Sequence, residues 1–294
     1  MLIKPQNAVD LKDGFKIWNG NCWDYYKEYK CTNCGKIIIR CTRNAYQNSA
    51  RGCDNNFCSK KCQSIHRHNI VDPIGANILN QINTPNFCYL IGLLATDGHI
   101  TYPPNYVHYS CSICLKDLEL LEQVKNIFGG RIQTNHPFIK SKDIHRTIYE
   151  WKLNNIEFIQ WLISIGFTNN KSHTLNLTRW FNTLTEDLQK NFIRGVLDGD
   201  GSIYRNAHGR WGISIVSASL PFIQLIKDYT GMGDYRYDKK SCYYFSLYRR
   251  GDIEIFLDRI YNQSTLHLDR KYKKYQQFKL EYAQHKDKIH KTKE

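Results

Sequence analysis

Asp97 and Asp200 close the same short pattern, 103 residues apart. The two copies are Leu90-Ile91-Gly92-Leu93-Leu94-Ala95-Thr96-Asp97-Gly98 and Ile193-Arg194-Gly195-Val196-Leu197-Asp198-Gly199-Asp200-Gly201. Each reads as an apolar helix with an internal glycine, ending in Asp-Gly. A carboxylate there faces the negative end of the helix dipole, where a cation is favoured. One such acid is ordinarily a cap or a turn. Two at duplicate positions point to a positive partner, and a metal ion is the natural one.

A second cluster has metal-ligand spacing. Eight cysteine or histidine residues fall between Cys31 and His68. Cys31-Thr32-Asn33-Cys34-Gly35 is a C-x2-C-G knuckle, and Cys58 with Cys62 is a C-x3-C pair. Two such pairs let four thiolates close around one tetrahedral Zn2+. The expected ligands are therefore Cys31, Cys34, Cys58 and Cys62. His66 or His68 could replace Cys62, and Cys53 could replace Cys58; Cys41 is spare. The alternative is a set of reduced, buried thiols, but a piece of about 40 residues rarely folds without a staple. Cys88, Cys111, Cys114 and Cys242 fall on apolar faces and read as core.

Charge suggests the partner. The 294-residue chain carries a formal +14, which argues for a polyanion, most simply nucleic acid. Residues 1–68 hold 12 Lys and Arg against 5 Asp and Glu, and residues 269–294 hold 9 against 4. Lys36, Arg40, Arg43, Arg51, Lys60 and Lys61 lie among the cysteines and are candidate DNA contacts. The tail Asp269-Arg270-Lys271-Tyr272-Lys273-Lys274-Tyr275 could follow a phosphate backbone, or be a charged, frayed helix. No run approaches the ~18 apolar residues of a membrane span, and no h-region follows Met1, so secretion is not expected.

The segments downstream of the two Asp-Gly pairs are also duplicated. His108–Cys114 and Trp211–Ser217 read as strands. Asp117–Phe128 and Pro221–Ile226 read as helices stopping near Gly129-Gly130 and near Gly231 and Gly233. Ile148–Leu153 and Cys242–Leu247 read as further strands, with short helices at Ile156–Ile165 and Ile253–Tyr261. The unit is helix, two strands, helix, two strands, helix, and it occurs twice. Thr84-Pro85 is an N-cap with proline at the first helical position. Thr183-Leu184-Thr185-Glu186 reads as a capping box opening the second motif helix.

Both copies resemble the signature of the LAGLIDADG homing endonucleases, in the two-motif, monomeric form. The resemblance implies an α+β fold of two pseudo-twofold-related αββαββα repeats with curved antiparallel DNA-binding sheets. It implies that the motif helices pack through Gly92 and Gly195. It also implies that Asp97 and Asp200, beside Gly98 and Gly201, hold Mg2+ or Mn2+ at the scissile phosphates. The earlier motif acid is Asp198 in the second copy and Ala95 in the first. Lys171, after Asn169-Asn170, matches a segment carrying a catalytic lysine, and Lys271 stands at the corresponding place in the second half. The cysteine-rich segment resembles knuckles that accompany phage and organellar endonucleases.

The expected organisation is a basic, aromatic extension over 1–30, a zinc module over 31–68, a first repeat over 84–182 and a second over 183–294. The expected function is metal-dependent, double-strand cutting of DNA at a long asymmetric site, one motif aspartate per strand. A monomer without an obligate protein partner or membrane would do this in a bacterial or phage-infected cytoplasm, or in an organelle. Sheet residues expected in the major groove are Tyr109, Ser112, Lys152, Ser214, Tyr244 and Tyr248. An RNA maturase, or a DNA-binding regulator that does not cleave, could use the same fold.

Overall fold

The computed structural model describes residues 7–11, 14–41, 57–63, 72–103, 108–135, 138–139, 144–145, 147–169, 171–238 and 241–291. The chain forms two compact units, Met1–Ala76 and Asn77–Glu294.

In the first unit, β1 (Val9–Leu11), β2 (Gly14–Trp18), β3 (Trp23–Lys30) and β4 (Ile37–Cys41) form one antiparallel meander. It runs across the boundary expected at 30/31, because Cys31–Lys36 is the turn between β3 and β4. Cys31 N donates to Lys36 O at 2.8 Å, and Gly35 N to Cys31 O at 2.8 Å. Gly35 supplies the positive φ of 73° that this turn needs.

The second unit is built on two helices, α1 (Pro85–Thr96) and α4 (Glu186–Asp200). After α1 come β5 (Gly98–Thr101), β6 (Ser110–Leu115), α2 (Leu118–Phe128), β7 (Arg131–Asn135), a small ribbon of β8 (Phe138–Ile139) and β9 (Ile144–His145), β10 (Ile148–Leu153) and α3 (Ile156–Ile165). After α4 come β11 (Gly201–Arg205), β12 (Trp211–Ser217), α5 (Leu220–Thr230), β13 (Asp234–Asp238), β14 (Cys242–Leu247) and α6 (Arg250–Tyr261). A 23-residue helix, α7 (Asp269–Lys291), closes the chain. The sheets have matching orders, β5-β6-β10-β7 and β11-β12-β14-β13. The fold is therefore α+β with two αββαββα repeats and antiparallel sheets; among the described residues, the β8–β9 ribbon occurs in the first repeat alone.

Strand alternation sorts each sheet into two faces. Cys111, Ile113, Trp151 and Leu153 of the first sheet, and Ile213, Ile215, Phe245 and Leu247 of the second, are buried. The helices cover them with apolar stripes, as in α2, where Leu120, Leu121, Val124 and Phe128 are the buried residues.

Helix starts follow partly the expected chemistry. Thr84 accepts from Phe87 N at 3.2 Å, ahead of Pro85. The expected capping box at Thr183 does not form. Helix α4 begins at Glu186 with Thr185 at the cap, and Thr183 Oγ1 instead donates to Trp180 O at 2.7 Å. The preceding single turn, Thr178–Phe181, claims that hydroxyl for its own end.

Candidate metal centre and nucleic-acid faces

Helices α1 and α4 meet backbone to backbone. A β-carbon on Gly92 would collide with Phe192 O and lie 2.9 Å from Gly195 Cα. One on Gly195 would collide with Tyr89 O and lie 3.0 Å from Gly92 Cα. Only hydrogen fits at either place. The close crossing brings the C-terminal ends of the helices together. A β-carbon on Gly199 would lie 3.3 Å from Asp97 Oδ2, so the Asp97 carboxylate reaches the last turn of the opposite helix. Gly98 and Gly201 start β5 and β11 directly off the helix ends, where any side chain would run into Leu94 or Leu197.

The electrostatics match this meeting of acids. Loss of water, then the charge of Asp200, pushes Asp97 up to about 6. Asp200 is more open to solvent, yet it is crowded by protein on its inner side, and desolvation raises it as well. Lys171 and Lys271 both pull these carboxylates back down.

The lysines do more than sit nearby. Lys171 Nζ donates to Ala95 O at 2.8 Å and Thr96 O at 2.6 Å. Lys271 Nζ donates to Leu197 O at 2.6 Å, Asp198 O at 2.7 Å and Gly199 O at 2.8 Å. Each ammonium thus caps the negative end of one motif helix by donating to carbonyls of its last turn, where Leu197 O also accepts from Gly201 N. Part of the positive charge expected beside the aspartates is therefore the protein's own. Burial lowers both lysines to about 8.

Sequence reasoning missed how Asp198 is used. It is fully buried and accepts from Tyr89 OH at 2.8 Å, Tyr261 OH at 2.5 Å and Leu268 N at 2.8 Å. Arg194, also buried, donates to Leu266 O and Ile260 O, each at 2.9 Å. Two charged residues inside an apolar helix were the available signal, since buried charges need partners.

The expected zinc ligands come together. One ligand atom from each of Cys31, Cys34, Cys58 and Cys62 lies within 4.8 Å of the others. Cys34 and Cys58 sulfurs are 3.6 Å apart, and those of Cys58 and Cys62 are 3.3 Å apart. A tetrahedral site with Zn–S near 2.3 Å needs sulfurs about 3.8 Å apart, so small shifts would fit an ion. Desolvation pushes the Cys31 thiol up, but backbone hydrogen bonds at Cys58, Cys34 and Asn33 outweigh it and set it at about 6. Cys41 lies outside this cluster. Arg43, Arg51, Cys53, His66 and His68 lie outside the described residues. Lys36, Lys60 and Lys61 are exposed, whereas the Arg40 guanidinium donates to Phe57 O and ties the two arms of the module together.

The polar sheet faces collect most of the expected groove residues. Ser112 pairs with His99 and Lys152, and Lys152 with Arg131. Ser214 pairs with Ser202 and Ser246, and Tyr244 with Val216 and Arg236. Tyr248 is exposed beyond β14. Tyr109 is a correction: it has the parity of Cys111 and packs against the hydrophobic core, away from this face. The same parity corrects Cys114, which shares the polar face of Ser112 and is exposed, and Cys242 is only half-buried; Cys88 and Cys111 are core.

Family comparison finds a match inside the second repeat. Residues 187–261 match the model of the LAGLIDADG-like domain. No curated protein matches the chain. Similar solved structures include I-SmaMI bound to an uncleaved DNA target with calcium ions, 15% identical over 70% of this chain and 93% of that one, with a TM-score of 0.48. Another is the homing endonuclease I-WcaI bound to its DNA recognition sequence, 10% identical over 64% of this chain and 84% of that one, also at 0.48. Among the described residues, no helix is long and apolar enough to cross a membrane.

Proposed function

We propose that this protein is a metal-dependent, site-specific double-strand DNA endonuclease of homing type. The carrying observation is the pair of duplicated carboxylates, Asp97 and Asp200, at adjoining helix ends, each end capped by a lysine ammonium. Carboxylate and carbonyl oxygens are the donors that Mg2+ or Mn2+ prefers, and acids raised by burial, with Asp97 raised further by the charge of Asp200, want a counter-charge. Asp97 and Asp200, beside Gly98 and Gly201, would hold such an ion. When bound, it supplies water activation, charge neutralisation on the phosphate and leaving-group stabilisation.

The chain's own groups do the rest. The α1–α4 contact fixes the two carboxylates relative to each other, so that one attends each strand. Lys171 and Lys271 keep positive charge beside the reacting phosphates, where developing negative charge is stabilised. The polar faces of the two sheets track the duplex on either side of the cut, and the single chain reads an asymmetric site. The Cys31, Cys34, Cys58 and Cys62 cluster holds structural Zn2+, and Lys36, Lys60 and Lys61 around it add phosphate contacts.

Incubation with genomic DNA libraries and Mg2+, followed by mapping of ends, tests this reading. Discrete cuts at one site, abolished by EDTA or by Asp97→Asn, are expected. Absence of cuts, together with tight binding to a structured RNA, would replace it with a maturase.

A further inference from the structure

The N-terminal sheet separates charge between its faces. Register places Lys16 opposite Tyr25 and Val9, Trp18 opposite Trp23, Gly14 opposite Lys27, and Lys27 opposite Arg40. One face thus carries Val9, Leu11, Lys16, Trp18, Trp23, Tyr25, Lys27 and Arg40. Asp10, Asp24 and Glu28 all have the other parity, with Phe15 and Tyr26, whose rings stack at 5.3 Å. Among the described strand residues, no acid shares the face of Lys16.

That face presents its rings to solvent. Trp18 is 50% exposed, Tyr25 46% and Trp23 37%. Trp18 and Trp23 meet edge to face at 5.5 Å, and Lys16 Nζ lies 4.5 Å from the centre of the Trp23 ring. A folded domain rarely leaves three large aromatics open on one acid-free face without a partner. Duplex DNA is a poor match, because its base faces are stacked inside and its grooves are read by Arg, Asn, Gln and Lys. Aromatic rings with cations beside them suit unpaired bases, which offer their π-faces while the backbone meets the lysines.

We propose that the Trp18–Trp23–Tyr25 face of the N-terminal sheet binds single-stranded DNA. Bases stack on Trp18 and Tyr25, and Lys16, held over Trp23, meets the phosphate. The choice of DNA rests on the endonuclease reading above; the stacking surface does not.

The test uses the full-length protein without divalent metal. Fluorescein-labelled (dT)12, a 12-base-pair duplex and (rU)12 are titrated, with anisotropy and tryptophan quenching as readouts. Expected is (dT)12 binding that quenches tryptophan and weakens roughly 5- to 100-fold on Trp18→Ala or Tyr25→Ala. Duplex binding should change less than twofold, and Trp18→Phe should restore most of the affinity. The proposal is overturned if wild-type protein ignores (dT)12, if duplex binding falls in parallel, if Trp18→Phe is as weak as Trp18→Ala, or if (rU)12 binds better. Because no cutting is measured, missing endonuclease activity with intact (dT)12 binding would fault the function above and leave this surface standing.

Discussion

Tyr89 donates to Asp198 across the two motif helices, at 2.8 Å and 109 residues apart in sequence. The bond makes a motif residue of one repeat part of the core of the other. Asp198 in turn accepts from Leu268 N, one residue before α7 begins, and α7 presents Lys271 to the end of α4. The first repeat has Ala95 at this place and no carboxylate, so the two halves hold their lysines by different means.

Asp198→Ala therefore leaves two buried tyrosine hydroxyls and one amide without an acceptor. A loss of about 3 kcal/mol is expected, read from the urea midpoint. Tyr89→Phe removes a single bond and should cost about 1 kcal/mol. An Asp198→Ala loss below that of Tyr89→Phe would contradict the network.

Asp97 is expected to trade stability for function. Its folded pKa, about 6, lies above the ordinary carboxylate value of 3.8. A raised acid destabilises the fold once ionised: the penalty is absent below about pH 4, grows between 4 and 6, and is complete above 6. With screening at this partly exposed group, it amounts to about 1 kcal/mol. Asp97→Asn should accordingly melt a few degrees higher than the parent at pH 7.5 in EDTA, and the gain should vanish near pH 4. The same variant should bind DNA and lose cutting, or only nick. An unchanged melting temperature at pH 7.5 would mean that neither burial nor the charge of Asp200 penalises the ionised Asp97 carboxylate.

The lysines predict an alkaline limit. Burial lowers Lys171 and Lys271 to about 8, so their charge is lost as pH rises through 8 rather than 10.5. Because the folded value lies below the ordinary one, their charge costs stability, which returns between about pH 8 and 10.5. Activity should instead fall above pH 8. Lys271→Ala should lower the rate of cutting by about 100-fold, measured in single turnover, and Lys171→Ala by a similar factor.

Much of this centre was legible in the sequence. The Gly92 and Asp97 pattern and its copy at Gly195 and Asp200 sit in one helix apiece, so local spacing carried the information. The four cysteines were readable because ligand spacing is itself local. Tyr109 and Cys114 were not, because a one-residue change of register swaps sheet faces, and strand ends are set by pairing partners far along the chain. The capping box at Thr183 failed for a similar reason: the neighbouring turn at Thr178–Phe181 competed for the same hydroxyl. Lys271 was placed only by its correspondence to Lys171, and its capping role was not legible, since its three carbonyl partners lie more than 70 residues away.

The helix contact should tolerate no side chain. Gly195→Ala would drive a methyl group into Tyr89 O, and Gly92→Ala into Phe192 O. Backbone cannot rotate aside as a side chain can, so the helices must separate, at a cost of about 3 kcal/mol. Both strands should be affected alike, because the separation moves Asp97 and Asp200 together. Nicking confined to one strand would show that the carboxylates are positioned independently.

Removal of metal from the cysteine cluster should act on the first unit alone. Cys31, Cys34, Cys58 and Cys62 all belong to Met1–Ala76, while Asp97 and Asp200 belong to Asn77–Glu294. Thiol modification should release one Zn2+ per chain, counted with a metallochromic dye. Since a structural zinc site contributes folding energy directly, Cys34→Ser should open residues 1–76 to proteolysis while a protected fragment near residues 77–294 persists. Lys36, Lys60 and Lys61 should then no longer grip phosphates, so the salt dependence of DNA binding should become shallower, by about one unit of slope per phosphate released. Unchanged proteolysis in Cys34→Ser would mean that the thiols pack as ordinary reduced cysteines.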